Sequence, residues 1–203
     1  MVRIGVIDSG LGGELVGKRV REKLGEVEIF QYKPASFISY SSSSLEQLFI
    51  KCKTHIEYLE EKDVELIIVG CMTLSTNCLQ FITESSKVPV LDLYTVLGTL
   101  DNEWAIIATE NTIRSGKFAH CKEIPCGTLS SIIENKNTLP YFSYRKVFKD
   151  TLKNYIKNSE VGDITKLILG CSHYPLEKEL ILSVLDKDVE ILDPIEKLLE
   201  IIK

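Results

Sequence analysis

Short apolar runs recur along the chain: VRIGVI (2–7), VEIFQY (27–32), VELIIVG (64–70), VPVLDL (88–93), WAIIAT (104–109), KLILG (166–170) and VEIL (189–192). Runs of this length read as strands. Between them lie helix-length amphipathic stretches. Over 45–62, Leu45, Leu48, Phe49, Cys52, His55, Ile56 and Leu59 fall at helical spacing with the charges mostly elsewhere, which predicts a helix. The same reading predicts helices near 12–24, 74–84, 111–119, 142–158, 175–185 and 194–202. The last has Pro194 in its first turn, where a missing N–H costs nothing. Strand alternating with helix is the pattern of parallel βα units, so the expected fold class is α/β.

Two regions interrupt the alternation. PASFISYSSSS (34–44), with its four consecutive serines, is too short and too early to separate domains and is expected to form a loop over a cleft. ENKNTLP (134–140) is polar and turn-prone and reads as a surface connection. A third feature is a repetition. LIIVGCMTLST (66–76) is followed, much later, by LILGCSHYP (167–175), each an apolar run ending in Gly-Cys. Two similar α/β halves divided near residue 95 account for it, each offering one cysteine from the carboxyl end of a strand to a shared cleft. The expected domains are 1–95 and 96–189, with a C-terminal helix at about 190–203 returning to the first.

Composition narrows the function classes. The 203 residues are 44% hydrophobic and 26% charged, the balance of an ordinary globular protein. The net charge of −5, from 29 acidic and 24 basic residues, comes without a basic stripe, so nucleic acid is not an expected partner. No apolar run approaches the roughly 20 residues that span a bilayer, and MVRIGVIDSG enters a strand pattern at once, so no membrane association and a cytoplasmic location are expected. The six cysteines contain no C-x-x-C pair, and Cys121 and Cys126 are too far apart for a zinc knuckle even with His120 beside them. No metal site is expected.

Candidate chemistry lies in the repeated Gly-Cys. A thiol acts as a thiolate, and its pKa falls at a helix N-terminus or beside a cation. Cys71 and Cys171 each stand between a strand and an expected helix, and His173 adds a proton partner for the second. Gly70 and Gly170 would let the chain turn with no side chain in the way of a small substrate. The competing reading is that cysteine, here and at Cys52 and Cys78, is a small buried hydrophobe. IGVIDSGLGG (4–13) places Asp8 and Ser9 at the mouth of the first βα loop. Its Gly10, Gly12 and Gly13 do not make a dinucleotide site, because Glu14 and Leu15 follow where G-x-G-x-x-G needs a third glycine.

Taken in order, IGVIDSGLGG, GCMTLST, IIATENTIRSG and LGCSHYP resemble the Asp/Glu racemase superfamily over nearly the whole chain, and within it the glutamate racemases. The family pattern runs D-S-G-x-G-G, C-N-T-A/S, T-x-x-T-I-x-S and G-C-T-H-Y-P. The resemblance implies two pseudo-symmetric, flavodoxin-like parallel-sheet domains with the active site between them, and no cofactor. It implies an amino-acid racemase in which one cysteine takes the α-proton from one face while the other supplies a proton to the opposite face. By this match Cys71 and Cys171 are the acid/base pair, Asp8 assists the first and His173 the second. Ser9, Thr73, Thr109, Thr112 and Ser172 fall where the family holds its substrate, although Thr109 and Thr112 are equally suited to ordinary helix capping.

The match departs from the pattern at three places. Met72 stands where the family has a substrate-binding asparagine, and a thioether cannot donate a hydrogen bond. The family's P-Y-G loop is Ser39-Tyr40-Ser41 here. The chain is also shorter than typical glutamate racemases, between His120 and the helix at 142. Glutamate or aspartate is the expected substrate. A superfamily enzyme of the hydantoin racemase or maleate isomerase type, and a ligand-binding paralogue without turnover, are the alternatives. Dimers are common in the superfamily, so a homodimer is expected, and supply of a D-amino acid for peptidoglycan is the role the resemblance implies.

Overall fold

The computed structural model describes residues 1–33, 40–185 and 188–202. Two parallel four-stranded sheets carry the architecture. The first is ordered β2-β1-β3-β4, from β1 (Val2–Ile7), β2 (Val27–Gln31), β3 (Leu66–Val69) and β4 (Val90–Asp92). The second repeats it as β6-β5-β7-β8, from β5 (Trp104–Ala108), β6 (Lys122–Pro125), β7 (Lys166–Gly170) and β8 (Glu190–Leu192). The central strands are buried almost end to end, as parallel strands covered on both faces must be.

The helices are α1 (Leu11–Leu24), α2 (Leu45–Glu60), α3 (Met72–Asn77), α4 (Leu79–Ser85), α5 (Glu110–Arg114), α6 (Leu129–Glu134), α7 (Tyr141–Ser159), α8 (Lys178–Leu182) and α9 (Pro194–Ile201). Apolar side chains gather in three clusters. One lies with α2 and α4 against the first sheet, and one with α7 and α8 against the second. The third holds Val6 and Ile68 of the first sheet together with Ile106 and Ile168 of the second, closed by Ile195 and Leu198 of α9. The halves therefore share a core. Arg19 of α1 also reaches the buried N-cap carboxylate of α9, Asp193, at 2.6 Å.

Several sequence expectations need correction. Strand β6 carries no strand signal because KEIP offers one buried apolar residue, Ile124, after two charges and before a proline, and the short helix α6 has no full amphipathic repeat. The helix expected over 74–84 is two helices joined at Cys78, where Ser75 and Thr76 bond back to the carbonyls of Cys71 and Met72. The helix expected over 111–119 stops at Arg114, ahead of Gly116 with φ of 70°. The one expected over 175–185 opens as a 3-10 turn, Tyr174–Glu177, before α8.

Three of the four serines, Ser41, Ser43 and Ser44, are held by side-chain hydrogen bonds. Ser44 caps α2 reciprocally with Gln47, which fixes where the helix begins. Ser43 accepts from Lys51 Nζ, and Ser41 Oγ reaches the Gly127 carbonyl.

Candidate active site

Every functional side chain inferred from the sequence that falls within the described residues lies at a carboxyl end of a central strand or beside one. Asp8 and Ser9 follow β1, Cys71 to Thr73 follow β3, Thr109 follows β5, and Cys171 to His173 follow β7. In matched sheets β1 corresponds to β5 and β3 to β7, so the two cysteines occupy equivalent places. Ser9, Tyr40, Ser41, Cys71, Met72, Thr73, Thr109, Cys171, Ser172 and His173 line one cavity, together with Ser130. Ser39 lies outside the described residues. Asp8 and Thr112 are fully buried behind the lining.

The cavity is small, about 20 Å³, which is room for one water. Hydrogen bonds stitch it shut. Ser172 Oγ donates to Asp8 Oδ2 at 2.7 Å. Thr73, Thr109 and Thr112 form a ring of hydroxyls at 2.8, 3.2 and 3.0 Å. Asn111 Nδ2 holds the carbonyls of Tyr40 and Ser43, and Asn77 Nδ2 holds that of Asn111. All of these bonds except Thr109–Thr112 run between a segment of the first sheet's half and one of the second's. Opening the cleft to a small molecule means exchanging them for bonds to that molecule or to water.

The glycines beside the site serve close packing. A Cβ on Gly12 would stand 2.1 Å from Ser172 Oγ, and one on Gly13 would stand 2.7 Å from Asp8 Cβ. The glycine-rich turn thus brings the start of α1 against the second half's Ser172 and His173. Gly70 and Gly170 differ from the expectation as well. A Cβ on Gly170 would stand 2.7 Å from Ile106 and 2.8 Å from Ala108, and one on Gly70 a tight 3.2 Å from Val16, so their smallness seats the strand ends on the core.

The two cysteines sit in unlike electrostatic surroundings. Burial and the Asp8 charge push the Cys71 thiol well above its ordinary pKa, against the backbone N–H groups of Thr73 and Leu74. Cys71 stands at the N-cap position of α3, but burial and Asp8 outweigh the helix start there, so the lowered thiol expected from that position is not found; Cys171 precedes only a 3-10 turn. Cys171 has instead His173 Nδ1 at 3.6 Å from its sulfur. Burial pulls the His173 pKa down, but Cys171, Glu134 and the Asp8 charge outweigh it and raise the value to about 10. Asp8 is raised by burial in spite of bonds from Ser172, Ser9 and Gly10.

Glu134 was not found in the sequence. It accepts from His173 Nε2 at 2.5 Å and from the Leu11 backbone N–H at 2.7 Å, and the imidazole holds its pKa below the ordinary carboxylate value. It closes α6 at the edge of the stretch read as a surface connection, and no local pattern marks it. Cys171, His173 and Glu134 form a relay in which a proton held on the imidazole can serve the thiol. Facing it, Cys71 carries a proton it can donate. Met72 is 1% exposed, packed on Phe118's cluster while touching the cavity, so the site has a thioether in that wall.

Among the described residues, no group of three or more His, Cys, Asp or Glu side chains could hold a metal ion. No helix among them is long and apolar enough to cross a membrane.

No family model matches the chain. It is 29% identical over 206 residues to the glutamate racemase of Lactococcus lactis subsp. lactis (strain IL1403), covering 94% of this chain and 74% of that protein. It is 29% identical over 209 residues to the glutamate racemase of Syntrophus aciditrophicus (strain SB), covering 95% and 76%. The structure is similar to that of the Francisella tularensis glutamate racemase in complex with D-glutamate, with a TM-score of 0.84 at 28% identity over 98% of this chain and 78% of the other. An aspartate racemase homologue from Pyrococcus horikoshii OT3 shares the fold, with a TM-score of 0.56 at 17% identity over 98% of this chain and 96% of that one.

Proposed function

We propose that this chain, a member of the Asp/Glu racemase superfamily and by that membership an isomerase, interconverts L- and D-glutamate without a cofactor by passing protons between Cys71 and Cys171. The observation that carries the reading is the pair of thiols at equivalent strand ends of two matched sheets, both lining one cavity. Inversion at one carbon needs a base on one face and an acid on the other, with roles exchanged for the opposite enantiomer. In the proposed mechanism Cys71 works beside Asp8, and Cys171 works with His173 held by Glu134. The hydroxyls of Ser9, Ser41, Thr73, Thr109, Thr112 and Ser172 hold the substrate's carboxylates and amine. They also stabilise the extra charge of the carbanion.

The two halves act as domains divided near residue 95, the second running through β8 (Glu190–Leu192), which completes its sheet, and the C-terminal helix α9 (Pro194–Ile201) belonging to the first. Contacts of α9 with α1 and with the 3-10 turn Thr95–Leu97 support that assignment. The setting we propose is a cytoplasmic homodimer that takes a small amino acid and supplies its D-form for peptidoglycan.

Met72 favours one second reading. With a thioether in place of an amide, the same two-thiol chemistry suits a substrate other than glutamate, either aspartate, one methylene shorter with the same polar groups, or a hydantoin, which offers fewer charged ones. Proton NMR in D₂O with L-glutamate, L-aspartate and a hydantoin in parallel, under reducing conditions and with chiral chromatography, decides among them. Loss of the α-proton signal with accumulation of the D-form of glutamate is the expected result. Exchange of another substrate alone moves the assignment to it, and exchange of none leaves an enzyme of the maleate isomerase type or a binding module.

A further inference from the structure

We propose that His55 is a positioning residue for Tyr40, and that the pair holds a strap, residues 40–44, across the mouth of the cleft. This rests on the racemase reading of the cavity. Tyr40 lines the cavity with Cys71, and its Oη lies 2.8 Å from His55 Nε2, with both side chains buried. Its own backbone carbonyl accepts from Asn111 Nδ2. The side chain is thus tied to α2 in the first half and the main chain to α5 in the second. Lys51 adds a cation 5.1 Å from the Tyr40 ring centroid while bonding Ser43.

His55 is otherwise an unfavourable residue for its place. It lies among Leu48, Cys52, Ile56 and Leu59 on the apolar face of α2, with the Tyr32 ring 5.5 Å away edge-on. Its Nδ1 has no hydrogen-bond partner among the described residues, a cost that a leucine there would not carry. A local rule broken inside a packed face points to a function served elsewhere. Burial keeps the imidazole neutral, its pKa pulled down to about 4, so Nε2 is fit to accept the phenol proton. What the histidine provides is one fixed orientation of Tyr40. When the cleft opens, the Tyr40 carbonyl leaves Asn111 while the ring stays anchored, so the strap returns to the same seat over bound substrate.

The test compares His55→Leu, His55→Gln and Tyr40→Phe with the wild type. Losing one hydrogen bond is expected to raise KM by about tenfold in His55→Leu with kcat within about twofold, because the bond orders the strap and touches no reacting atom. His55→Gln, whose amide oxygen still accepts, restores KM. Tyr40→Phe raises KM as well, and combining it with His55→Leu adds nothing further, since one bond is lost once. Hydrogen exchange of the 41–44 amides, followed by mass spectrometry, is faster in His55→Leu than in the wild type. This last readout needs no substrate. An inactive wild type overturns the racemase reading, and the exchange rates then decide the strap. An unchanged KM in Tyr40→Phe with an active wild type, or unchanged amide exchange in His55→Leu, overturns the role of His55.

Discussion

Ser172 Oγ donates to Asp8 Oδ2 at 2.7 Å, so a hydroxyl at the carboxyl end of β7 holds the carboxylate at the carboxyl end of β1. The contact joins the two halves within the site. Gly12 makes it feasible, for the turn carrying Asp8 passes so near Ser172 that any side chain would displace the hydroxyl.

Gly12→Ala is therefore expected to damage the site more than the fold. The new Cβ would stand 2.1 Å from Ser172 Oγ, which must rotate and release Asp8. The exchange rate should fall by about tenfold or more, equivalent to about 1.4 kcal/mol of lost transition-state stabilisation. Calorimetry should show a melting temperature lower by only a few degrees. Wild-type turnover in this variant would mean that the Ser172–Asp8 bond is dispensable.

Replacing one thiol at a time separates the two faces. Cys71→Ala and Cys171→Ala should each lose racemisation by at least roughly a thousandfold, since general acid and base steps contribute about 10²–10⁴ each. Each variant should still exchange the α-proton of one enantiomer in D₂O, and the two should differ in which one. Exchange of both enantiomers by a single variant would remove that cysteine from the mechanism.

Restoring an amide at Met72→Asn should lower KM for glutamate and aspartate, as a hydrogen-bond donor returns to the cavity wall. It should also cost roughly 1–3 kcal/mol of stability, because the side chain packs in the core shared by both sheets. Steady-state kinetics on both amino acids and urea denaturation read the two effects. A KM that does not move would place the residue outside substrate contact.

His173 predicts an alkaline limit to stability. Its folded pKa of about 10 lies above the ordinary 6.5, so the fold favours the protonated imidazole. That contribution is complete below about 6.5 and fades as pH rises through about 10. Glu134→Gln removes the carboxylate at Nε2, so its stability deficit against the wild type should be widest at or just below about pH 6.5 and close as pH passes about 10. Denaturant midpoints across that range measure it, and a gap independent of pH would contradict the pairing.

All the strands of the described residues except β6, and the cysteines, were legible in the sequence because they follow from local pattern. Parallel strands buried on both faces must read as apolar runs, and the duplicated Gly-Cys marked equivalent places in two sheets. Glu134 and His55 were not legible, for both owe their roles to partners far along the chain, His173 for one and Tyr40 for the other. His55 even counted toward the apolar face of α2, correctly for burial and silently for its bond. The broken helix at Cys78 was hidden for a related reason. Propensity describes a continuous stretch, whereas the side chains of Ser75 and Thr76 claim carbonyls locally.

The unlike surroundings of Cys71 and Cys171 carry a consequence for kinetics. Enantiomers have equal free energy in an achiral solvent, so the equilibrium constant of a racemisation is unity whatever the catalyst. The ratio kcat/KM must then be identical for the L and D forms. A thiol facing a carboxylate and a thiol facing an imidazole have no reason to bind and react alike. Any such difference must therefore appear as offsetting changes in kcat and KM, with the hand that binds more weakly turned over faster in proportion.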